Sequence, residues 1–362
     1  MKSGLTIDEL SAEVLRQNSA KQDYLVKTGN LQMESFGGSP FLRLIGDDDV
    51  DLVEPLDIKS TAHSQFSTYL DIPIKYYNRM LAEYPDLLAK NVNSWLERKS
   101  EQKMVRTLDG AARALVSNRY RRIDHLDILQ AVLPIIGRLP DAIFESCEIT
   151  DTRMYLKIVN PRLQMDVTPG DTVQAGLIIS NSEVGLGSVL VQPLVYRLVC
   201  SNGMVVNDAK TRRTHLGRVT NTDEDFLLYS PETLQAEDRA FVLKLQDTVR
   251  AAVEEARFAR VIDQMRQAKV MPLSTADVPG VIKLTRSSFG IYEAEQSGVM
   301  QHLIEGQDMS LYGLANAITR FSQDVESYDR ATKLEGIGYS VMTMPSATWN
   351  RINQNASLEQ AA

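Results

Sequence analysis

Cysteine is scarce in this chain: Cys147 and Cys200 are the only two among 362 residues, and they form no CxxC pair. That excludes a disulfide framework and a cysteine-rich zinc site. Each thiol reads as a small buried residue, and the usage suits a reducing cytoplasm, the expected location. Histidine is scarce too. His63, His125, His215 and His302 fall in separate segments, with no spacing for a metal pair or for a base beside a nucleophile. No serine sits in a GxSxG elbow. Gly185-Leu-Gly187 lacks both the third glycine of a dinucleotide loop and the Lys-Ser/Thr of a phosphate loop. The sequence therefore assigns no catalytic residue, no metal ligand and no cofactor.

Long apolar runs are also missing, so no bilayer-spanning segment is expected. The opening MKSGLTIDELSAEVLRQ carries acids without an apolar core and does not read as a secretory signal. Positive charge is not in excess: 39 Lys and Arg face 47 Asp and Glu, a formal net charge of −8. That excludes a protein coated in positive charge, such as a histone-like DNA packager, but leaves a local basic patch open.

Hydrophobic residues make up 43% of the chain and charged residues 24%, enough over this length for two or three domains with their own cores. Residues 1–103 read as an N-terminal segment of short strands and helices. Thr61–Leu70 and Ile74–Glu83 flank an Asp71-Ile72-Pro73 break. They resemble a helix-turn-helix in outline, but Tyr76, Tyr77, Met80 and Leu81 mark the second helix for packing. Residues 104–225 read as β-rich. Met104–Leu108 and Ala112–Ser117 form a hairpin around Asp109-Gly110. Asp124–Ile136 is helical, and Ile143–Thr150 pairs with Arg153–Val159. Thr172–Val206 is a Val/Leu/Ile-rich run broken by turns at Asn181–Gly187 and Ser201–Gly203. Residues 226–349 read as helical, with one long helix over Pro231–Lys269 and further helices at Ile291–Glu305, Leu311–Asp324 and Tyr328–Met342. Residues 350–362 read as a frayed polar tail. The expected fold is α+β: a central antiparallel sheet, from about Met104 to Val219, flanked by an N-terminal helical module and a C-terminal helical region.

Four groups of strings occur together: Ile72-Pro-x-x-Tyr76-Tyr with Asp86-Leu-Leu-Ala-x-Asn-Val; Arg113-Ala-Leu-Val-Ser-Asn-Arg-Tyr120; Asn181-Ser-Glu-Val-Gly185 with Tyr196-Arg-Leu-Val-Cys-Ser-Asn-Gly-Met204; and Tyr312-Gly-x-x-Asn316-Ala-x-Thr-Arg320. From Thr61 to Met342 the chain resembles the phage/plasmid-like protein family, domain-of-unknown-function family 932. The resemblance implies a mobile-element protein encoded among DNA-processing and anti-defence genes. It brings no catalytic residues with it.

Two segments concentrate basic side chains. Arg119, Arg121 and Arg122 follow Arg113 and surround Tyr120, while Lys210, Arg212, Arg213 and Arg218 surround His215. Arginine offers a planar fork to phosphate, and tyrosine a stacking face to an unpaired base. The expected function is non-enzymatic binding of nucleic acid, single-stranded DNA above all, in phage or plasmid recombination or replication. The alternative is a modulator that binds a host or phage protein, and a homo-oligomer is compatible with either. A metal-dependent nuclease is the weaker alternative, built on Glu145, Glu148, Asp151 and Lys157. Asp47, Asp48, Asp49 and Asp51 read as a polar hairpin tip, because the spacing fails the calcium-loop pattern. Asn316 and Arg320, one helical turn apart on one face, read with Thr319 as hydrogen-bonding positions that fix a helix against the sheet.

Overall fold

A computed structural model describes residues 1–99, 101–120, 122–187, 189–207, 231–252 and 254–359. Helix α1 (Ile7–Ala20) starts at a capping box: the Thr6 hydroxyl oxygen accepts from the Glu9 amide, and the Glu9 carboxylate accepts from the Thr6 amide. Six strands follow: β1 (Gln22–Lys27), β2 (Leu31–Phe36), β3 (Ser39–Leu44), β4 (Leu56–Ile58), β5 (Gln102–Leu108) and β6 (Ala111–Ser117). They form one six-stranded sheet in the order β1-β5-β6-β4-β3-β2. Strands β4 and β6 run parallel, and the other neighbouring pairs are antiparallel. The β5–β6 turn carries left-handed φ at Asp109 (51°) and Gly110 (74°), as the Asp-Gly dipeptide predicts.

Helices α2 (Ser60–Tyr69), α3 (Ile74–Glu83) and α4 (Pro85–Leu96) pack on this sheet. Tyr77 and Met80 of α3 are buried among Phe66, Leu88 and Leu115, and the Tyr77 hydroxyl meets His63 Nδ1 at 2.9 Å. The α2–α3 pair is thus a core element, as the apolar face of its second helix requires.

Helix α5 (His125–Ile136) leads to a second, five-stranded antiparallel sheet: β7 (Ile143–Ile149), β8 (Met154–Asp166), β9 (Thr172–Asn181), β10 (Leu190–Arg197) and β11 (Asn202–Val205). Period-two alternation sorts β8 as expected. Met154, Leu156 and Ile158 join Leu10 and Val14 of α1 and Ile128 and Val132 of α5. On the opposite side, Tyr155 and Val159 pack with Ile178, Leu194 and Tyr328.

The remaining helices are α6 (Pro231–Ala252), α7 (Glu255–Lys269), α8 (Val278–Phe289), α9 (Gln296–Gly306), α10 (Leu311–Phe321), α11 (Tyr328–Met342) and α12 (Ser346–Glu359). Their core, around Leu311, Tyr312, Ile318 and Trp349, is continuous with Val173 and Met204 of the second sheet. Among the described residues no helix is long and apolar enough to cross a membrane.

The architecture is α+β, with its strands divided between two sheets. The hairpin that begins at Met104 joins the N-terminal strands, because β6 takes the parallel partner β4: the Lys59 amide donates to the Ala112 carbonyl at 3.0 Å. The helix expected over Pro231–Lys269 is two helices, with Glu254 at extended φ/ψ before α7. Of the tail expected to fray, residues 350–359 belong to α12, anchored by buried Trp349 and Ile352, and residues 360–362 lie outside the described residues.

Lys157 and Glu335 cross-brace the second sheet and α11. Lys157 Nζ lies 2.8 Å from one Glu335 carboxylate oxygen, both side chains have 0% exposure, and the ammonium sits 4.5 Å from the Tyr328 ring centre. Burial lowers the Lys157 pKa, and Glu335 opposes that shift. Lys157→Met leaves the carboxylate buried without a counter-charge, at an expected cost of about 3–5 kcal/mol. Adding Glu335→Leu should recover most of it in urea unfolding, whereas equal losses in the single and double variants would refute this account of the pair.

Candidate nucleic-acid interface

The loop between β6 and α5 carries Arg119, Tyr120 and Arg122. It turns sharply at its start, where the Tyr120 amide donates to the Ser117 carbonyl (2.9 Å) and the Arg119 amide to the Ser117 hydroxyl (3.2 Å). The Tyr120 ring packs against Met104, Val116 and Val184. Its hydroxyl donates to the Ser182 carbonyl at 3.1 Å, and the Arg106 guanidinium lies 5.7 Å from the ring centre. Burial raises the Tyr120 pKa, so the phenol stays protonated.

Beneath the loop is a buried ionic cluster. Arg106, fully buried, donates to Asp23 (2.8 Å), to Asp124 (2.8 Å) and to the Glu183 carbonyl (2.8 Å). Glu183 is 3% exposed. One of its carboxylate oxygens accepts from the His125 amide at 2.6 Å, the other binds Arg113, and Lys21 stands 3.5 Å away. Lys21 also binds Asp124 at 2.7 Å. These contacts tie β1, β5 and β6 of the first sheet to the turn after β9 and to the start of α5. Asn181 completes the cluster: its Nδ2 donates to the Ile123 carbonyl and lies 3.0 Å from His125 Nδ1. An amide nitrogen can only donate, so Nδ1 carries no proton and His125 is neutral. Burial accounts for this by lowering the His125 pKa to about 4. Burial alone would raise the Glu183 pKa, but His125 and Arg113 outweigh it and hold the carboxyl at about 2.

Arg122 lies at the outer edge of this cluster, paired with Asp23. Its side chain is 59% exposed, 3.5 Å from Asp23, and it lines a cavity of about 450 Å³ between α5 and α6. The walls are Ile123, Ile128, Phe241, Val242 and Leu245, with the amides of Gln130 and Gln246 and the Asp127 carboxylate. Gln246 is fixed by donation to the Ala131 carbonyl at 3.2 Å. Asp127 caps α5 by accepting from the Asp124 amide at 3.0 Å. A flat ring with hydrogen-bonding edges suits such a slot, and the guanidinium at its mouth suits a phosphate.

The sequence candidates are therefore distributed unevenly. Arg119 is partly exposed on the loop, Tyr120 is packed through its ring and hydroxyl, and Arg122 is at the cavity mouth. Arg113, grouped with them by sequence, is an internal counter-ion. Arg121, Lys210, Arg212, Arg213 and Arg218 lie outside the described residues. Sequence reasoning missed Phe241, Gln130 and Gln246, because nothing along the chain joins the helix over Pro231–Lys269 to Arg122.

The other constellations resolve into structural roles. Asp47 is bound by Lys27 and Asn30, and Asp51 by Arg43. The β7–β8 register shifts between Phe144 and Ser146, so Glu145 is the bulge residue and accepts from the Tyr196 hydroxyl. Lys157 belongs to Glu335. The register needed to align Glu145, Asp151 and Lys157 is thus broken. Among the described residues no group of three or more His, Cys, Asp or Glu side chains is placed to hold a metal ion.

The fold defines a two-sheet α+β protein with a charged seam, an arginine loop and an adjoining cavity. The family model described as "Domain of unknown function (DUF932)" matches residues 112–333. That is more than half of the chain, which belongs to this family. No curated protein and no solved structure matches it.

The seam predicts a pH response. The His125 pKa is about 4 in the fold against 6.5 in an open chain, so the unfolded state binds more protons between these values. Its stabilising contribution is complete above pH 6.5 and is lost as pH falls toward 4, by about 3 kcal/mol. His63, lowered to about 4 by burial, adds to the same window. Urea unfolding at pH 7, 5.5 and 4.5 should show this loss, with the slope roughly halved in His125→Asn. A slope unchanged in that variant would contradict the assignment.

Proposed function

We propose that the protein binds single-stranded nucleic acid without bond chemistry. An unpaired base occupies the cavity between α5 and α6, and Arg119 and Arg122 take the flanking phosphates. The supporting observation is that the basic loop adjoins a cavity combining an aromatic ring, two side-chain amides and an exposed guanidinium. Lys210, Arg212, Arg213 and Arg218 extend the phosphate contacts in this reading, and Arg121 belongs to the same loop. A role in recombination or replication of a phage or plasmid fits the setting that the family resemblance implies.

The cavity's apolar walls also favour a second reading, in which a host or phage protein inserts an apolar side chain. The two readings differ in salt response. Nucleic-acid affinity falls steeply with salt because bound phosphates release counterions, with a log–log slope of about −0.7 per phosphate on a single strand. Insertion of an apolar side chain depends far less on salt.

Fluorescence anisotropy with labelled single- and double-stranded oligonucleotides at two salt concentrations tests the proposal. Binding should favour single strands. Arg122→Glu, and separately Arg212→Glu with Arg213→Glu, should each flatten the salt slope. Phe241→Ala should weaken binding by about 1–3 kcal/mol through lost stacking. No binding at low salt, or charge reversals without effect in folded protein, would overturn it.

A further inference from the structure

A second cavity, of about 320 Å³, opens where the end of β10 and its following turn meet α9 and α10. Two of the strings quoted above supply much of its wall: Arg197 and Cys200 come from one, Asn316 and Arg320 from the other.

Its back wall is held rigidly. Arg197 donates to Asp171 at 2.5 Å and to Cys200 Sγ at 3.1 Å, while the Tyr312 hydroxyl donates to the second Asp171 oxygen at 2.9 Å. Asn202 Nδ2 donates to the Thr319 hydroxyl at 2.5 Å, locking α10 onto β11. Thr319 is thus the position in its string that fixes the helix. Gly313 closes another side: a Cβ there would lie 1.8 Å from the Asp308 carbonyl oxygen.

Two donors in the wall are left without a full complement of acceptors among the described residues. Asn316 is 8% exposed, and its buried Nδ2 has no hydrogen-bond partner. The Arg320 side chain, one turn further along the same face, forms no hydrogen bond or close ion pair among the described residues, and it faces the Glu305 carboxylate, whose pKa it helps to lower. The acceptors nearby are already engaged. Asp308 takes Lys269 and the Ser310 hydroxyl, and Glu305 takes Gln301 and His302. What the cavity leaves unsatisfied is donor capacity from one guanidinium and one buried amide, beside a second guanidinium. Buried donors of this kind are matched by an acceptor-rich group.

We infer that this cavity binds a small molecule through an oxyanion, a carboxylate or a phosphate, held by Asn316 Nδ2 and the Arg320 guanidinium with Arg197 behind them. The volume is at the small end for ligand sites and fits a metabolite-sized anion rather than a polymer. The site shares no wall residue with the α5/α6 cavity and stands independently of the nucleic-acid proposal.

Calorimetric titration of the full chain tests this, using inorganic phosphate, pyrophosphate and succinate at constant ionic strength set with chloride. Saturable binding at one site per chain is expected for one anion class. Phosphate or pyrophosphate binding identifies a phosphorylated ligand, and succinate binding a carboxylate. Arg320→Gln breaks no side-chain hydrogen bond among the described residues, so it should fold normally and weaken binding by about tenfold or more. Asn316→Leu should act in the same direction. Arg79→Gln removes an exposed α3 arginine whose side chain is 71% accessible and controls for lost surface charge. The inference is overturned if neither anion class saturates the wild type, or if Arg320→Gln binds as tightly as wild type.

Discussion

Glu183 is the carboxylate on which the two halves of this molecule meet. It is buried at the turn after β9 yet remains ionised, because Arg113 from β6, Lys21 from the end of α1 and the His125 amide converge on it. Isolated in an apolar interior, such a charge would cost several kcal/mol. The cluster therefore works as a unit, and any one member left alone would become a liability. That property makes it a device for register. The first sheet, the Asn181–Gly185 turn and the first residue of α5 can come together in one arrangement only if Arg106 reaches both Asp23 and Asp124 while Glu183 keeps its partners. The loop bearing Arg119 and Arg122 spans two members of this seam, which fixes where those arginines emerge.

The same cluster changes how the charge of the chain should be counted. A net charge of −8 with two basic segments suggests an acidic protein with separate cationic patches. In the fold, several cations and anions cancel internally: Arg106 with Asp23 and Asp124, Arg113 with Glu183, Arg197 with Asp171, Lys157 with Glu335. These pairs contribute little field outside the protein. Among the described residues, Arg122 lines one cavity beside Asp23 and Arg320 lines the other beside Glu305. Local field, rather than net charge, sets affinity for an anionic partner.

Features set by neighbours in sequence were legible in advance. Asp109-Gly110 dictated the tight turn, and the helical spacing of apolar residues over Asp124–Ile136 dictated α5. Alternation in β8 separated Met154 and Leu156 from Tyr155 and Lys157. Features set by long-range partners were not. Nothing near β4 announces that its partner is the parallel β6, so one expected sheet became two. The bulge at Glu145 depends on the β8 partner. The helical order of α12 depends on burial of Trp349, whose indole donates to the Pro272 carbonyl from across the chain. The candidate sites divide in the same way. Composition marked the arginines, but only folding brings Phe241 beside Arg122, or separates Thr319, which is bonded, from Asn316, which is not.

The two cavities differ in a way that limits what each can recognise. The one between α5 and α6 has mostly apolar walls that include the Phe241 ring. Shape and stacking would dominate there, which tolerates variation in the ring it accepts. The one beside α10 is lined mostly by groups whose hydrogen bonds are committed, with the Asn316 amide nitrogen unpartnered and Arg320 beside it. Recognition there would be strict, because a ligand without acceptors leaves a buried amide unpaired. Both sets of wall residues fall within the matched family region, residues 112–333, whereas helices α2–α4 and α12 fall outside it. The matched region thus contains both cavities. Strands β9 and β10 carry Asn181 and Arg197 at opposite ends of one antiparallel pair.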